Sequence, residues 1–124
     1  MKNDATQFLP LSAAVLHILL SLAGEERHGY GIMQEVARQS QGRYKLGPGT
    51  LYDNLQRLLD QGIVSEAPRV SHEPRVSDKD DARRRYYKLT SLGRRVLGSE
   101  VERLEQIVCE AKVHLRLVRP VEGL

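Results

Sequence analysis

Residues 47–64 read GPGTLYDNLQRLLDQGIV, and the fold turns on this stretch. Pro48 suits the first turn of a helix, where its missing N–H removes no hydrogen bond. Leu51, Leu55, Leu58 and Leu59 then recur at helical spacing and form one apolar stripe. Gly62 provides a stop. The opposite face carries Thr50, Asp53, Asn54, Arg57 and Gln61, which are polar and hydrogen-bonding without being heavily charged. A helix of this kind commits one side to a core and leaves the other for solvent or a polar partner.

Working upstream, a second helix is expected from about Tyr30 to Gln39, burying Ile32, Met33, Val36 and Ala37, with Gly42 at its C-terminal stop. Gly29 and Gly31 fit either a close approach near Tyr30 or a loose helix start. A first helix runs from a Ser12 cap to about Ala23. Its main stripe is Leu11, Val15, Ile18, Leu19 and Leu22, and Leu16 and Leu20 add a second, so it is buried on two sides. Glu25–His28 reads as a polar turn and Tyr44–Leu46 as a short strand. Residues 1–10 read as a flexible arm ending at Pro10. Downstream, Ile63–Ala67 and Arg85–Leu89 are strands. Between them, residues 69–84 are polar and aperiodic, which reads as a loop. Thr90 or Ser91 then opens a long helix, from about Leu92 to Leu117.

Helix, helix, short strand, helix, strand, loop, strand, long helix is the plan of a winged helix-turn-helix followed by an appended helix. The expected fold is mainly α with a small β-hairpin. It divides into an arm at 1–10, a winged helix-turn-helix at 11–90, and a C-terminal dimerisation helix and tail at 91–124. In this plan the third helix occupies the major groove of double-stranded DNA. Asn54 can read adenine and Arg57 guanine through paired hydrogen bonds. Thr50 and Tyr52, near the helix start, are placed to hold phosphates. The hairpin is the wing. Residues 69–88 hold seven Lys or Arg against four Asp or Glu, a surplus of three that equals the net charge of the whole chain, +3. Arg83, Arg84 and Arg85 form an unbroken basic run, suited to phosphates and a narrow minor groove.

In the last helix Leu97, Val101, Leu104, Val108, Ala111, Leu115 and Val118 alternate at spacings of four and three. That is a heptad seam. A seam this long exceeds what so small a domain can cover, so a homodimer is expected, with Leu16 and Leu20 of the first helix joining the interface.

Three segments, HGYGIMQEV (28–36), GPGTLYDNLQRLLDQGIV (47–64) and RRRYYKLTSLGRRVL (83–97), together resemble the PadR family of transcriptional regulators over roughly residues 11–98. The resemblance implies a winged-helix dimer joined through its C-terminal helix, in the form with a single such helix, acting most often as a repressor. By position it puts Tyr30, Thr50, Tyr52, Asn54 and Arg57 in or near the DNA-contacting surface, and Arg84, Arg85 and Tyr87 at the wing. Some members bind flat aromatic drugs between tryptophans at the dimer centre. This chain has no Trp, so that pocket is not carried over. A small-molecule inducer of unnamed chemistry is compatible with the plan.

Other function classes find little support. His17, His28, His72, His114 and Cys109 are scattered, and Cys109 and His114 are five apart and do not share a helix face, so no metal and no cofactor are expected. Cys109 adjoins the seam residue Val108 and reads first as a packed small side chain, with a redox role across a dimer as the sharper alternative. Asp80–Asp81 and Glu25–Glu26 have no apolar pocket to shift their pKa values, so no enzyme is expected. A single cysteine, and an apolar run at 13–22 far too short to span a bilayer, point to a cytoplasmic protein with no membrane partner. The alternative function is a winged-helix protein-interaction module without specific DNA binding. The arginine run argues against it.

Overall fold

A computed structural model describes residues 5–67 and 85–116. A short 3-10 helix, Ala5–Phe8, precedes α1 (Ala13–Leu22), β1 (Arg27–His28), α2 (Gly29–Gln39), α3 (Pro48–Asp60), β2 (Val64–Ala67), β3 (Tyr86–Leu89) and α4 (Ser91–His114). The result is the expected mainly helical winged-helix architecture with a long C-terminal helix. Among the described residues no helix is long and apolar enough to cross a membrane.

Each helix begins where its sequence supplies an acceptor or a suitable φ. Ser12 Oγ accepts from the Val15 N–H at the start of α1. His28 Nδ1 accepts from the Gly31 N–H at the start of α2, and Thr90 Oγ1 accepts from the Gly93 N–H at the start of α4. Pro48 opens α3 after Gly47. At the far end of α3, Gly62 takes φ +76°, a conformation costly for any residue with a Cβ. The Gly62 and Ile63 N–H groups then reach back to the Leu59 and Leu58 carbonyls, closing a Schellman turn that sends the chain into β2.

The core lies between α1, α2, α3 and the first turns of α4. Ile18, Leu19, Leu22, Ile32, Val36, Leu51, Leu55, Leu58, Ile63, Val64 and Val96 are almost fully removed from water. Two close approaches fix α4 on this core. The Thr90 hydroxyl donates to the Gly62 carbonyl at 2.6 Å. Gly93 lies so close to the Ile63 carbonyl that a methyl group added there would overlap it.

The sheet has three strands in the order β1-β3-β2, all antiparallel. Arg27 and His28, expected in a polar turn, form β1 and pair with Tyr87 and Tyr86. A two-residue edge strand has no periodicity to read, and its pairing partner lies about sixty residues away in sequence. Tyr44–Leu46, expected as a strand, pairs with no strand among the described residues. Tyr44 stacks on His17 at 4.3 Å, its N–H bonds to Ser40 Oγ, and Leu46 enters the core. Part of the expected flexible arm is structured too: Ala5–Phe8 packs beside α4 with Ala5 buried. α4 ends at His114, about three residues earlier than the periodicity implies.

Glu100 of α4 is 1% exposed and ties this N-terminal segment down. Its carboxylate accepts from the Leu11 N–H at 3.0 Å and from two guanidinium nitrogens of Arg103 at 2.6 and 2.9 Å. The hydrogen bond from Arg103 holds the carboxyl below the ordinary glutamate value. Burial opposes this, and the Leu11 N–H and the charge of Arg103 reinforce it. Because the folded-state value is depressed, this contribution to stability is fully present above the unfolded carboxylate's pKa. It is lost as the pH falls through the folded one. Glu100→Ala is expected to lower the unfolding free energy by about 2–3 kcal/mol at neutral pH and to flatten the acid limb of a stability-against-pH curve. Chemical denaturation of both proteins from neutral to acid pH checks this, and superimposable acid limbs would contradict it.

Candidate nucleic-acid interface

α3 is anchored by Leu51, Leu55 and Leu58, which are 0, 1 and 2% exposed. Its outer face therefore points away from the core, and Thr50, Tyr52, Asp53, Gln56, Arg57 and Asp60 are all exposed. The two residues expected to read bases are not equivalent. Arg57 is exposed, and its guanidinium makes no ion pair or hydrogen bond among the described residues. Asn54 is half-buried, and its amide nitrogen donates to the Thr50 carbonyl at 2.8 Å. It lines a cleft of about 160 Å³ shared with Phe8, Leu11, Val15 and Leu58. Asn54 thus sits on the flank of α3 nearest α1, with one amide hydrogen already engaged.

The other flank belongs to Tyr52. Its ring lies against the first residue of α2, so closely that a methyl group on Gly29 would overlap the phenol. Of the two readings left open for Gly29, close approach is the one realised. Tyr52 remains 46% exposed, and Tyr30, two positions into α2, is 63% exposed. Both side chains are thus partly open to solvent at adjoining helix starts, with the Tyr52 hydroxyl packed against Gly29. His28 supports this corner twice, by capping α2 and by meeting Tyr86 edge-on at 5.4 Å.

Tyr87 takes a different place from the one expected. It is 5% exposed and belongs to the hydrophobic core cluster, so its ring is a packing element and not a wing contact. Burial holds its phenol above the ordinary tyrosine value, with Tyr52 and Glu66 reinforcing and Arg85 opposing. The strand begins immediately after Arg85, and Tyr86 and Tyr87 are both buried, which breaks simple alternation. Arg85 itself is exposed, 3.4 Å from the Glu66 carboxylate. An exposed pair of this kind contributes little, so Arg85 can exchange Glu66 for another anion at small cost. Arg83, Arg84 and the rest of 68–84 lie outside the described residues, as does Val118.

The expected dimer seam divides in two. Leu97 is 7% exposed and packs into its own domain's core, so it is not open to a second copy. The first turns of α4 lie on the head, and a heptad pattern does not distinguish an apolar position covered within the chain from one covered by a partner. From Val101 onward the stripe is open. Val101, Val108 and Leu115 are 40, 49 and 67% exposed, Ala111 is exposed and Leu104 half-buried. Ile107 and Val113 add exposed apolar surface that the seam did not include. Leu16 and Leu20 are half-buried against the core. Cys109 is a free, exposed thiol, and no cluster of three metal-binding side chains occurs among the described residues.

His28 and Glu100 carry local roles that the sequence reading did not assign. A His directly ahead of a helix was the available signal for the first. A Glu at helical spacing from Val96, Leu97 and Leu104 was the signal for the second.

With this geometry in hand, comparison with known proteins is direct. The model of the transcriptional regulator PadR-like family matches residues 15–99. The transcriptional regulator Rv3488 of Mycobacterium tuberculosis (strain H37Rv) is 35% identical over 99 residues, which are 80% of this chain and 82% of that protein. Among solved structures, a PadR-like transcription factor from Bacteroides fragilis is 28% identical with a TM-score of 0.57, covering 82% of this chain and 87% of its own. A PadR family regulator from Clostridium difficile R20291 is 23% identical with a TM-score of 0.56, covering 86% of this chain and 100% of its own. At that identity the likeness speaks to the fold.

The Gly29–Tyr52 contact is testable by a double-mutant cycle. Gly29→Ala is expected to destabilise the protein by about 1–3 kcal/mol through overpacking, and to do much less in a Tyr52→Ala background, where the ring it strikes is gone. Equal destabilisation in both backgrounds, measured by urea unfolding, would rule out the contact.

Proposed function

Because the chain belongs to the PadR-like family of transcriptional regulators, we propose that it acts in the cytoplasm as a homodimeric repressor on double-stranded DNA, each copy laying α3 in the major groove of one half of a palindromic operator. One observation carries this reading. α3 turns a hydrogen-bonding face outward, with Arg57 unpaired among the described residues, beside two exposed tyrosines near the starts of α2 and α3. Arg57 is suited to a guanine edge, and the hydroxyls of Thr50, Tyr52 and Tyr30 to flanking phosphates. Arg83, Arg84 and Arg85 take the phosphates reached by the wing.

The second copy is the natural cover for the stripe of Val101, Leu104, Val108, Ala111 and Leu115. An apolar stripe of this length, rimmed by Glu105 and Lys112, marks an interaction surface on a soluble protein. The two-fold axis then sets two inverted half-sites with centres roughly one or two helical turns apart, near 10 or 20 base pairs.

Two measurements test the reading. In a titration against the operator recovered from bound genomic fragments, Arg57→Ala is expected to weaken specific binding by about 1–3 kcal/mol and to relax preference at one base pair. Unchanged specific affinity would remove Arg57 from base readout. For the dimer, Leu104→Ala should weaken association by roughly 2–5 kcal/mol, and Leu104→Asp by more, because the carboxylate would be buried in both copies. Sedimentation at micromolar concentration reports this, and a wild-type monomer that still binds its operator tightly would sink the dimer.

A further inference from the structure

The outward centre of α3 is neither Asn54 nor Arg57. At 100° per residue, the direction opposite Leu51, Leu55 and Leu58 is shared by Asp53 and, at the last residue of the helix, Asp60. Gln56 is next to them, but its amide nitrogen is engaged with the Asp60 carboxylate at 3.1 Å. Asp53 is exposed, and its carboxylate has no hydrogen bond or ion pair among the described residues, although Arg57 stands one turn on along the same side. An unpaired acid at the centre of a face set against a polyanion lowers affinity for every sequence it touches, unless one particular base rewards it.

Resting on the DNA-binding reading above, we propose that Asp53 is a specificity-determining residue that accepts a hydrogen bond from the exocyclic amino group of cytosine in the major groove. A carboxylate is an acceptor only. Guanine N7 and O6 and thymine O4 are acceptors as well and repel it. Adenine offers an amino group, but flanked by the N7 acceptor on the same edge. Cytosine N4 is the donor that no acceptor on its own base accompanies there. Side chains four apart on a helix are about 5–6 Å apart at Cβ. Successive bases on a strand are about 3.4 Å apart. The cytosine met by Asp53 therefore lies within one or two steps of the base pair met by Arg57, whose positive charge offsets part of the carboxylate's repulsion from the backbone.

A base-reading acid and a merely solvated one differ in what their removal does. Losing a reader lowers discrimination and raises affinity for unrelated DNA together, whereas losing a bystander shifts all sequences alike. The full chain, as wild type, Asp53→Ala and Asp53→Asn, is incubated at fixed salt with a pool of random duplexes, and the retained fraction is sequenced. Non-operator duplex of one fixed sequence is titrated in parallel. The wild type is expected to select cytosine at one position in each half-site. In Asp53→Ala that selection should fall roughly fivefold or more, affinity for the non-operator duplex should rise severalfold, and all other positions should keep their preferences. Asp53→Asn should move the selected base towards adenine, whose paired acceptor and donor suit an amide. Asp53 is exposed and unpartnered, so both variants should melt as the wild type does. A defined wild-type motif that persists unchanged in Asp53→Ala, or a gain in affinity equal for all sequences, overturns this inference and leaves the DNA-binding reading intact. A wild-type chain that retains no duplex overturns both.

Discussion

Removal of Leu51, Leu55 and Leu58 from water is the constraint on which the rest depends. Burying each such side chain contributes about 1.5–3 kcal/mol before entropy is set against it. Three together are comparable with the whole net stability of a small domain, about 5–15 kcal/mol. α3 therefore cannot roll about its axis without exposing leucine. Once that angle is set, the opposite face is set with it. Asp53 stands outward, Arg57 just to one side, and Tyr52 and Asn54 mark the two flanks. Gly62 then ends the helix in a left-handed turn and starts β2 from the same corner.

That corner also governs α4. Thr90 binds the Gly62 carbonyl, and Gly93 packs on the Ile63 carbonyl. One turn of chain thus joins the end of α3, the root of the wing and the start of the long helix. Glu100 adds a second fastening by holding the Leu11 backbone. A buried leucine at position 100 would be the simpler way to gain stability, since a buried ion pair often does no better than apolar packing. What the carboxylate provides is direction. It meets one N–H and one guanidinium in fixed geometry, so α1 has a defined position on α4. On the proposed dimeric reading, in which two heads match two half-sites, the angle between head and dimer helix is a functional quantity.

Helix placement was legible because each helix announces itself twice, by an apolar stripe and by residues suited to its ends: Ser12, Pro48 and Thr90 at starts, Gly62 at a stop. Where only one signal exists, the reading fails. β1 is two residues long and owes its existence to β3. Tyr44–Leu46 has strand-like composition but no partner strand, and composition alone does not make a ladder. Tyr87 looked like a wing contact because it follows three arginines, yet a strand at the centre of a small sheet buries what it can. Leu97 satisfied the heptad and is nonetheless covered within its own chain. For the candidate interface, the sequence pointed to Asn54 and Arg57 on the polar face of α3 and gave no reason to single out Asp53. An amide has a familiar pairing with adenine, while the half-burial of Asn54 and its bond to the Thr50 carbonyl exist only in the folded chain.

The charge distribution divides the work of binding between elements. The exposed surface of α3 carries Asp53 and Asp60 against Arg57, one negative charge in excess. The sequence of residues 69–88 carries an excess of three positive charges. A recognition helix that attracted phosphates strongly would hold any duplex, and its hydrogen-bonding groups would then add a small increment to a large background. A helix that is electrostatically neutral or slightly repelled contributes almost nothing on the wrong sequence, so whatever it gains on the right one appears in full as discrimination. On the proposed reading, the basic residues of 69–88 supply attraction without regard to sequence, since phosphates carry no sequence information. Most of the sequence-independent attraction then comes from those residues, and discrimination comes from Asp53 and Arg57 of α3.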